Sequence, residues 1–285
     1  MSRIEEALQK LQARSKGPTA PSTTRLAAVV PRDHTYAGHR IVVDAARLRA
    51  NGLLAFDSEE RQLAEQYRTI KRPLLRNADP SLDPPLRRSN LVMVASALSG
   101  EGKTFTCINL CLSIARERDW SVVLVDGDCT KPHLTRLFGA EKEPGLIDLL
   151  RDPTLTFESL VMPTDVSGLS LLPVGSSDPH ASELLASKRM DELCESLSMY
   201  AGRIVVFDSS PLLLTTESPV LATKVGQVVV VVRANETPRH AVLAAIEKLD
   251  PEKAIACVLN RSAGREDSEE YGSYYGFEDG GASEV

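Results

Sequence analysis

The residues best equipped for chemistry lie in the run Ala97-Leu98-Ser99-Gly100-Glu101-Gly102-Lys103-Thr104. It leaves the apolar stretch LVMVA with the spacing of a phosphate-binding loop, Ala97 in the first glycine position and Gly102-Lys103-Thr104 at its close. Gly100 and Gly102 let the backbone curl so that successive N–H groups point at phosphate oxygens, and the helix that opens after them adds its positive end. In such a loop the lysine reaches the β- and γ-phosphates and the threonine hydroxyl sits on Mg2+, so the ligand class is a nucleoside triphosphate with magnesium. Ser99, Gly100, Glu101, Gly102, Lys103, Thr104 and Phe105 are the candidate nucleotide-binding residues.

Two further strand-like runs end in carboxylates. SVVLVD closes on Asp126-Gly127-Asp128, and RIVVFD on Asp208-Ser209-Ser210-Pro211. A carboxylate closing an apolar strand beside a phosphate site holds Mg2+ directly or through water, because that cation prefers hard oxygen ligands. The acids at i and i+2 can divide the work, one orienting metal-bound water and the other accepting a proton from an incoming hydroxyl. Residue type leaves open which of Asp126 and Asp128 does which. Thr104, Asp126 and Asp208 are the candidate metal ligands; Lys103, Asp126, Asp128 and Asp208 are the candidate catalytic set. Taken alone, the acids also fit a tight turn and a helix cap; the intact loop upstream favours the metal. Ser209, Ser210 and Pro211 are read as shaping the loop, with no chemistry of their own.

These groups need a scaffold that brings strand ends together. From Leu91 onward the chain alternates strand-like runs (LVMVA, SVVLVD, LSLLPV, RIVVFD, GQVVVVVR, AIACVLN) with helix-like connections. Runs apolar almost throughout suit strands buried on both faces. The expected fold is therefore α/β of the P-loop NTPase type: a mostly parallel, doubly wound sheet with helices on both faces and the site at the carboxyl ends of the strands. Upstream, 58–77 reads as a charged helix with Leu63, Tyr67 and Ile70 on its apolar face and a break or kink at Pro73. Four regions follow: an amphipathic helix over 1–16, a linker and entry segment over 17–57, the phosphate-loop domain over 58–263, and a tail over 264–285.

Composition narrows the classes. With 285 residues, 42% apolar and 25% charged, the chain suits one α/β domain with extensions. No apolar run approaches the ~20 residues of a membrane-spanning helix. The tail carries seven acids against Arg265, which accounts for the whole net charge of -6 and leaves no basic field for nucleic acid. Three of the six tyrosines, Tyr271, Tyr274 and Tyr275, sit in this Gly/Glu/Asp-rich stretch without apolar periodicity, and it reads as mobile. The five scattered cysteines read as buried thiols of a reducing compartment rather than a metal set.

The loop, the DGDCTKP segment (126–132) and the IVVFDSSP segment (204–211) resemble the Walker A, A′ and B motifs of the bacterial tyrosine kinases of exopolysaccharide and capsule export. The opening helix, the EQYRTIKRPLL stretch and the tyrosine-rich tail are most similar to the exosortase-associated tyrosine autokinase branch. This resemblance implies an ATP- and Mg2+-dependent autokinase that phosphorylates Tyr271, Tyr274 and Tyr275 in trans. It also implies a ring-shaped homo-oligomer, a membrane-anchored polysaccharide co-polymerase adaptor, an opposing tyrosine phosphatase, and a cytoplasmic chain held at the inner membrane through its partner. The family's Glu-x-x-Arg-x-x-Arg oligomerisation motif maps onto Glu65, Arg68 and Lys71, with Arg72 adjacent. Lysine in the last position lacks the forked geometry of arginine. Thr130 stands where the A′ motif commonly has arginine, and Leu98 where the partition ATPases carry their signature lysine. Asn260, ending AIACVLN, is where related ATPases contact adenine; a structural cap is the other reading. Two other functions keep the same loop: an ATPase switch between oligomeric states, and a nucleotide-bound scaffold without turnover.

Overall fold

The structure, a computed structural model, describes residues 36–54, 60–82 and 86–262. The 1–16 helix and the tail tyrosines Tyr271, Tyr274 and Tyr275 lie outside the described residues. The chain enters beside the sheet, where Ile41 bridges Thr164, and Asp44 caps α1 (Ala45–Ala50) by accepting the Arg47 N–H. α2 (Glu60–Asn77) follows and continues through Pro73, where a break or kink was expected, without a break. An interior proline costs about 3 kcal/mol. Buried Tyr67 and Leu74 anchor the helix on both sides of Pro73 in one apolar cluster, and that packing holds the turn closed.

The alternating part begins with β1 (Leu91–Ser96), α3 (Lys103–Ala115) and β2 (Ser121–Asp126). Short helices α4 (His133–Leu137), α5 (Leu146–Arg151) and α6 (Phe157–Leu160) lead to β3 (Met162–Pro163) and β4 (Leu169–Leu172). Then come α7 (Ala181–Ala186), α8 (Lys188–Ser198), β5 (Arg203–Asp208), α9 (Glu217–Lys224), β6 (Gln227–Arg233), α10 (Arg239–Ile246) and β7 (Ala254–Asn260). The seven strands lie in the order β3-β4-β2-β5-β1-β6-β7, parallel except for the two-residue β3, which runs antiparallel to β4. All six strand-like runs of the sequence are strands of this sheet. β3 is too short to leave a period.

Alternation along the central strands splits the core in two. Leu91, Met93 and Ala95 face one cluster, Val92 and Val94 the other, and all five are fully buried. β7 departs from the doubly covered pattern: among the described residues it pairs with β6 alone, and Cys257 and Leu259 on it are exposed. Cys257 thus corrects the reading of buried thiols, which Cys107, Cys111 and Cys194 satisfy. Among the described residues no helix is long and apolar enough to cross a membrane. The sheet order turns around β1, so the loop after β1 opens where connections diverge, as ligand sites do in open α/β sheets.

Candidate nucleotide and metal site

The loop between β1 and α3 is held from behind. Gly100 and Gly102 have φ of +81° and +98°, in the left-handed region that only glycine enters freely. A Cβ on Gly102 would lie 2.0 Å from Asn260 Nδ2, so that position is also closed by space. Glu101 turns inward, 3% exposed, where its carboxylate accepts the Leu98 N–H at 2.6 Å and the Thr237 hydroxyl. Asn260 Nδ2 donates to the Glu101 carbonyl at 2.9 Å, and its Oδ1 accepts the Arg261 N–H at 2.9 Å. Of the residues read as nucleotide-binding, Glu101 and Asn260 therefore spend their side chains bracing the loop, and Phe105 packs its ring against Tyr67 at 6.5 Å. Gly102 caps α3 without a side-chain hydrogen bond, which leaves the first-turn N–H groups for an anion.

The acids come together because β2 and β5 are neighbours in parallel register, with Asp126 opposite Asp208. Asp208 is 2% exposed and accepts the Thr104 hydroxyl on Oδ2 at 2.7 Å. Burial pushes its carboxyl up to about 7, against the pull of the Lys103 charge and with a further push from Asp126. Asp126 is fully buried; burial raises it to about 6, opposed by hydrogen bonds from Thr135. Between the acids, Gly127 donates its N–H to the Asp208 carbonyl at 2.8 Å, and a Cβ there would meet that same oxygen at 2.8 Å. Asp128 is half-buried, and its Oδ1 accepts from Thr130 N (3.2 Å), Thr130 Oγ1 (3.1 Å), Lys131 N (2.9 Å) and Ser210 Oγ (2.8 Å).

Two carboxylates buried side by side repel each other, and a hydroxyl on a third element joins them. This hard-oxygen set fits a magnesium ion, whose charge would offset the burial of both acids. Lys103, Thr104, Asp126, Asp128 and Asp208 all lie at the carboxyl end of the sheet.

On α2, Glu65 and Arg68 are exposed and paired with each other. Lys71 is not on that face. It is 5% exposed and donates to the Ser113 carbonyl at 2.6 Å, with Glu117 at 2.7 Å, so its amine is spent inside the chain. The exposed face continues instead through Arg72, at i+7 from Glu65. The sequence reading also missed Thr135, Ser210 and Thr237, which hold Asp126, Asp128 and Glu101. Their partners lie 9, 82 and 136 residues away, so no local spacing marks them.

Residues 92–272 match the family described as the CobQ/CobB/MinD/ParA nucleotide binding domain. Tyrosine-protein kinase YwqD of Bacillus subtilis (strain 168) is 31% identical over 237 residues, covering 82% of this chain and 94% of that protein. Tyrosine-protein kinase Wzc of Salmonella typhi is 32% identical over 146 residues, 51% of this chain; the match spans only 20% of Wzc. Among solved structures, the VpsO kinase domain is 29% identical with a TM-score of 0.59, covering 73% of this chain and 100% of that domain. The kinase domain of Escherichia coli tyrosine kinase ETK shares the fold, with a TM-score of 0.59 at 23% identity over 71% of this chain and 78% of that one. With the family match covering more than half of the residues, and YwqD aligned over nearly its whole length, the chain belongs to the CobQ/CobB/MinD/ParA nucleotide-binding family and, within it, to the bacterial tyrosine-protein kinases.

Proposed function

We propose that the chain transfers the γ-phosphoryl group of ATP to Tyr271, Tyr274 and Tyr275 of a neighbouring copy. The carrying observation is the buried, in-register pair Asp126 and Asp208 beside the Thr104 hydroxyl at the end of a phosphate loop. Thr104, Asp126 and Asp208 would hold Mg2+, which when bound neutralises charge developing on the transferred group. Lys103 and the loop N–H groups hold the phosphates. The tyrosine oxygen attacks the γ-phosphorus, its O–P bond forms as the bond to the β-phosphate oxygen breaks, and ADP leaves.

The tyrosine proton needs an acceptor. Asp126 is fully buried, whereas Asp128 is half-buried and accepts its hydrogen bonds from Thr130, Lys131 and Ser210 on Oδ1, so we assign the base to Asp128. The cellular setting follows the resemblance: a ring of copies completed by a membrane-anchored co-polymerase adaptor, reversed by a phosphatase, governing exopolysaccharide polymerisation and export.

The test is mass spectrometry of the purified full chain after incubation with ATP and Mg2+. Phosphate on the three tail tyrosines is expected in the wild type and none in Lys103→Met. Phosphate release without phosphotyrosine would overturn the reading in favour of an ATPase switch. Phosphotyrosine in Lys103→Met would overturn the mechanism.

A further inference from the structure

Thr135, on α4, sits beneath the acid pair and is 3% exposed. Its backbone N–H donates to Asp126 Oδ2 at 2.8 Å and its hydroxyl donates to the same oxygen at 2.7 Å. The direction of that second bond is fixed by a third. The Val174 N–H, just beyond β4, donates to Thr135 Oγ1 at 3.0 Å. A hydroxyl has one proton, so with a lone pair occupied by Val174 the proton goes to the carboxylate.

A carboxylate has about four acceptor positions over its two oxygens. Asp126 Oδ2 accepts two bonds, both from Thr135. Oδ1 accepts one bond, from the Asp128 N–H at 3.2 Å, and keeps capacity for one more partner. We propose that Thr135 is a positioning residue for the metal site: it engages Oδ2 of Asp126 twice and leaves Oδ1, with a single longer bond, as the oxygen with more room for a cation or its water. The neutral hydroxyl also ties β2 to the segment after β4, so the carboxylate plane is fixed by two elements.

The proposal rests on the reading of Asp126 and Asp208 as a magnesium site, and the experiment separates the two. Binding of a fluorescent ADP analogue to the full chain is measured against Mg2+ concentration for the wild type, Thr135→Val and Thr135→Ser. Valine keeps the shape and the backbone bond but removes the hydroxyl; serine restores the hydroxyl. Loss of an outer hydrogen bond to a metal ligand typically costs about 10- to 100-fold in metal affinity. The half-saturating Mg2+ concentration should rise about tenfold or more in Thr135→Val and stay within about threefold of wild type in Thr135→Ser. Affinity for the analogue in chelator should be the same in all three, which shows that the fold and phosphate loop survive. A Thr135→Val curve identical to wild type would overturn the proposal, as would Thr135→Ser as weak as Thr135→Val. A wild type whose nucleotide binding ignores Mg2+ would overturn the magnesium site itself.

Discussion

The two ends of the sheet treat charge in opposite ways. At the amino end, before β1 and β6, Arg88 lies buried and donates to the Lys224 carbonyl at 3.0 Å and to Glu195 Oε1 at 2.8 Å, while Lys224 Nζ meets Asp191 Oδ2 at 2.8 Å. Each buried cation there has an acid: Lys224 holds Asp191 below the ordinary carboxylate range, and Glu195 is lowered first by exposed Arg87 and then by Arg88. At the carboxyl end, Asp126 and Asp208 are buried beside one another and rise to about 6 and about 7. One end satisfies its charges from within the chain; at the other, Lys103 and the hydrogen bonds from Thr104 and Thr135 oppose the burial of the two acids without offsetting it. That difference is the one expected between a structural charge cluster and a functional one, and it supports the proposed site at the carboxyl end.

The comparison breaks most visibly at Asp208. Asp208→Asn should lower tyrosine phosphorylation at least about 100-fold, by removing a charge aimed at the metal. The same change should raise the thermal midpoint of the metal-free protein at pH 8, because a buried, repelled charge is gone. Calorimetry and a phosphotyrosine time course on one preparation check both signs. A metal-free Asp208→Asn less stable than wild type would mean that the carboxylate is paid for inside the fold.

At the other end the signs invert. Arg88→Ala should destabilise by about 3 kcal/mol, since it strips hydrogen bonds and ion pairs from a site shared by β1, α8 and α9. Arg88 has φ of +53°, and alanine inherits the same backbone strain, so the loss reports the guanidinium. Denaturant unfolding gives the magnitude. Phosphorylation per folded molecule should be unchanged.

The same contrast sets the pH dependence. Asp126 and Asp208 have folded pKa values above the unfolded value of 3.8, so the folded state binds more protons between about pH 4 and pH 7 and stability falls as pH rises through that window. Asp191 and Glu195 are depressed, so their contribution is present above about pH 4 and lost below it. Metal-free stability should therefore peak near pH 4 and decline by on the order of 2–4 kcal/mol between pH 5 and pH 8. Saturating Mg2+ and ADP should flatten the alkaline decline and leave the acid one. A metal-free profile that rises from pH 5 to pH 8 would contradict the burial of the two acids.

Much of this was legible in the residues and some was not. The six parallel strands follow from apolar runs such as GQVVVVVR, and the loop and strand-end acids from spacing, because each signal is local. Pro73 does not break its helix: propensity reads the helix alone, whereas Tyr67 and Leu74 on either side of it pack into the core. Thr135 and Ser210 carry no mark, because a hydroxyl acquires its role only from the strand end that folding brings beside it. Lys71 was placed on an exposed face by its motif position. Three- and six-residue steps from Glu65 drift around the helix, and by Lys71 the drift has reached the side that packs on α3.

The smallest effects lie on α2, where they sharpen the same distinction on one helix. Lys71 is spent inside the chain, on the Ser113 carbonyl and Glu117. Arg68 is about half exposed and meets only a neighbour on its own helix, Glu65, among the described residues. Lys71→Met should therefore cost about 1 kcal/mol, the worth of a buried hydrogen bond, whatever the protein concentration. Arg68→Ala should cost less than about 0.5 kcal/mol in the monomer, as exposed helix pairs do. If the exposed face of α2 joins copies, Arg68→Ala and Arg72→Ala should lower the mass seen by light scattering, while Lys71→Met leaves that mass unchanged. Unchanged mass in all three would remove α2 from assembly. A drop confined to Lys71→Met would show that the lysine leaves its pocket to reach a neighbour.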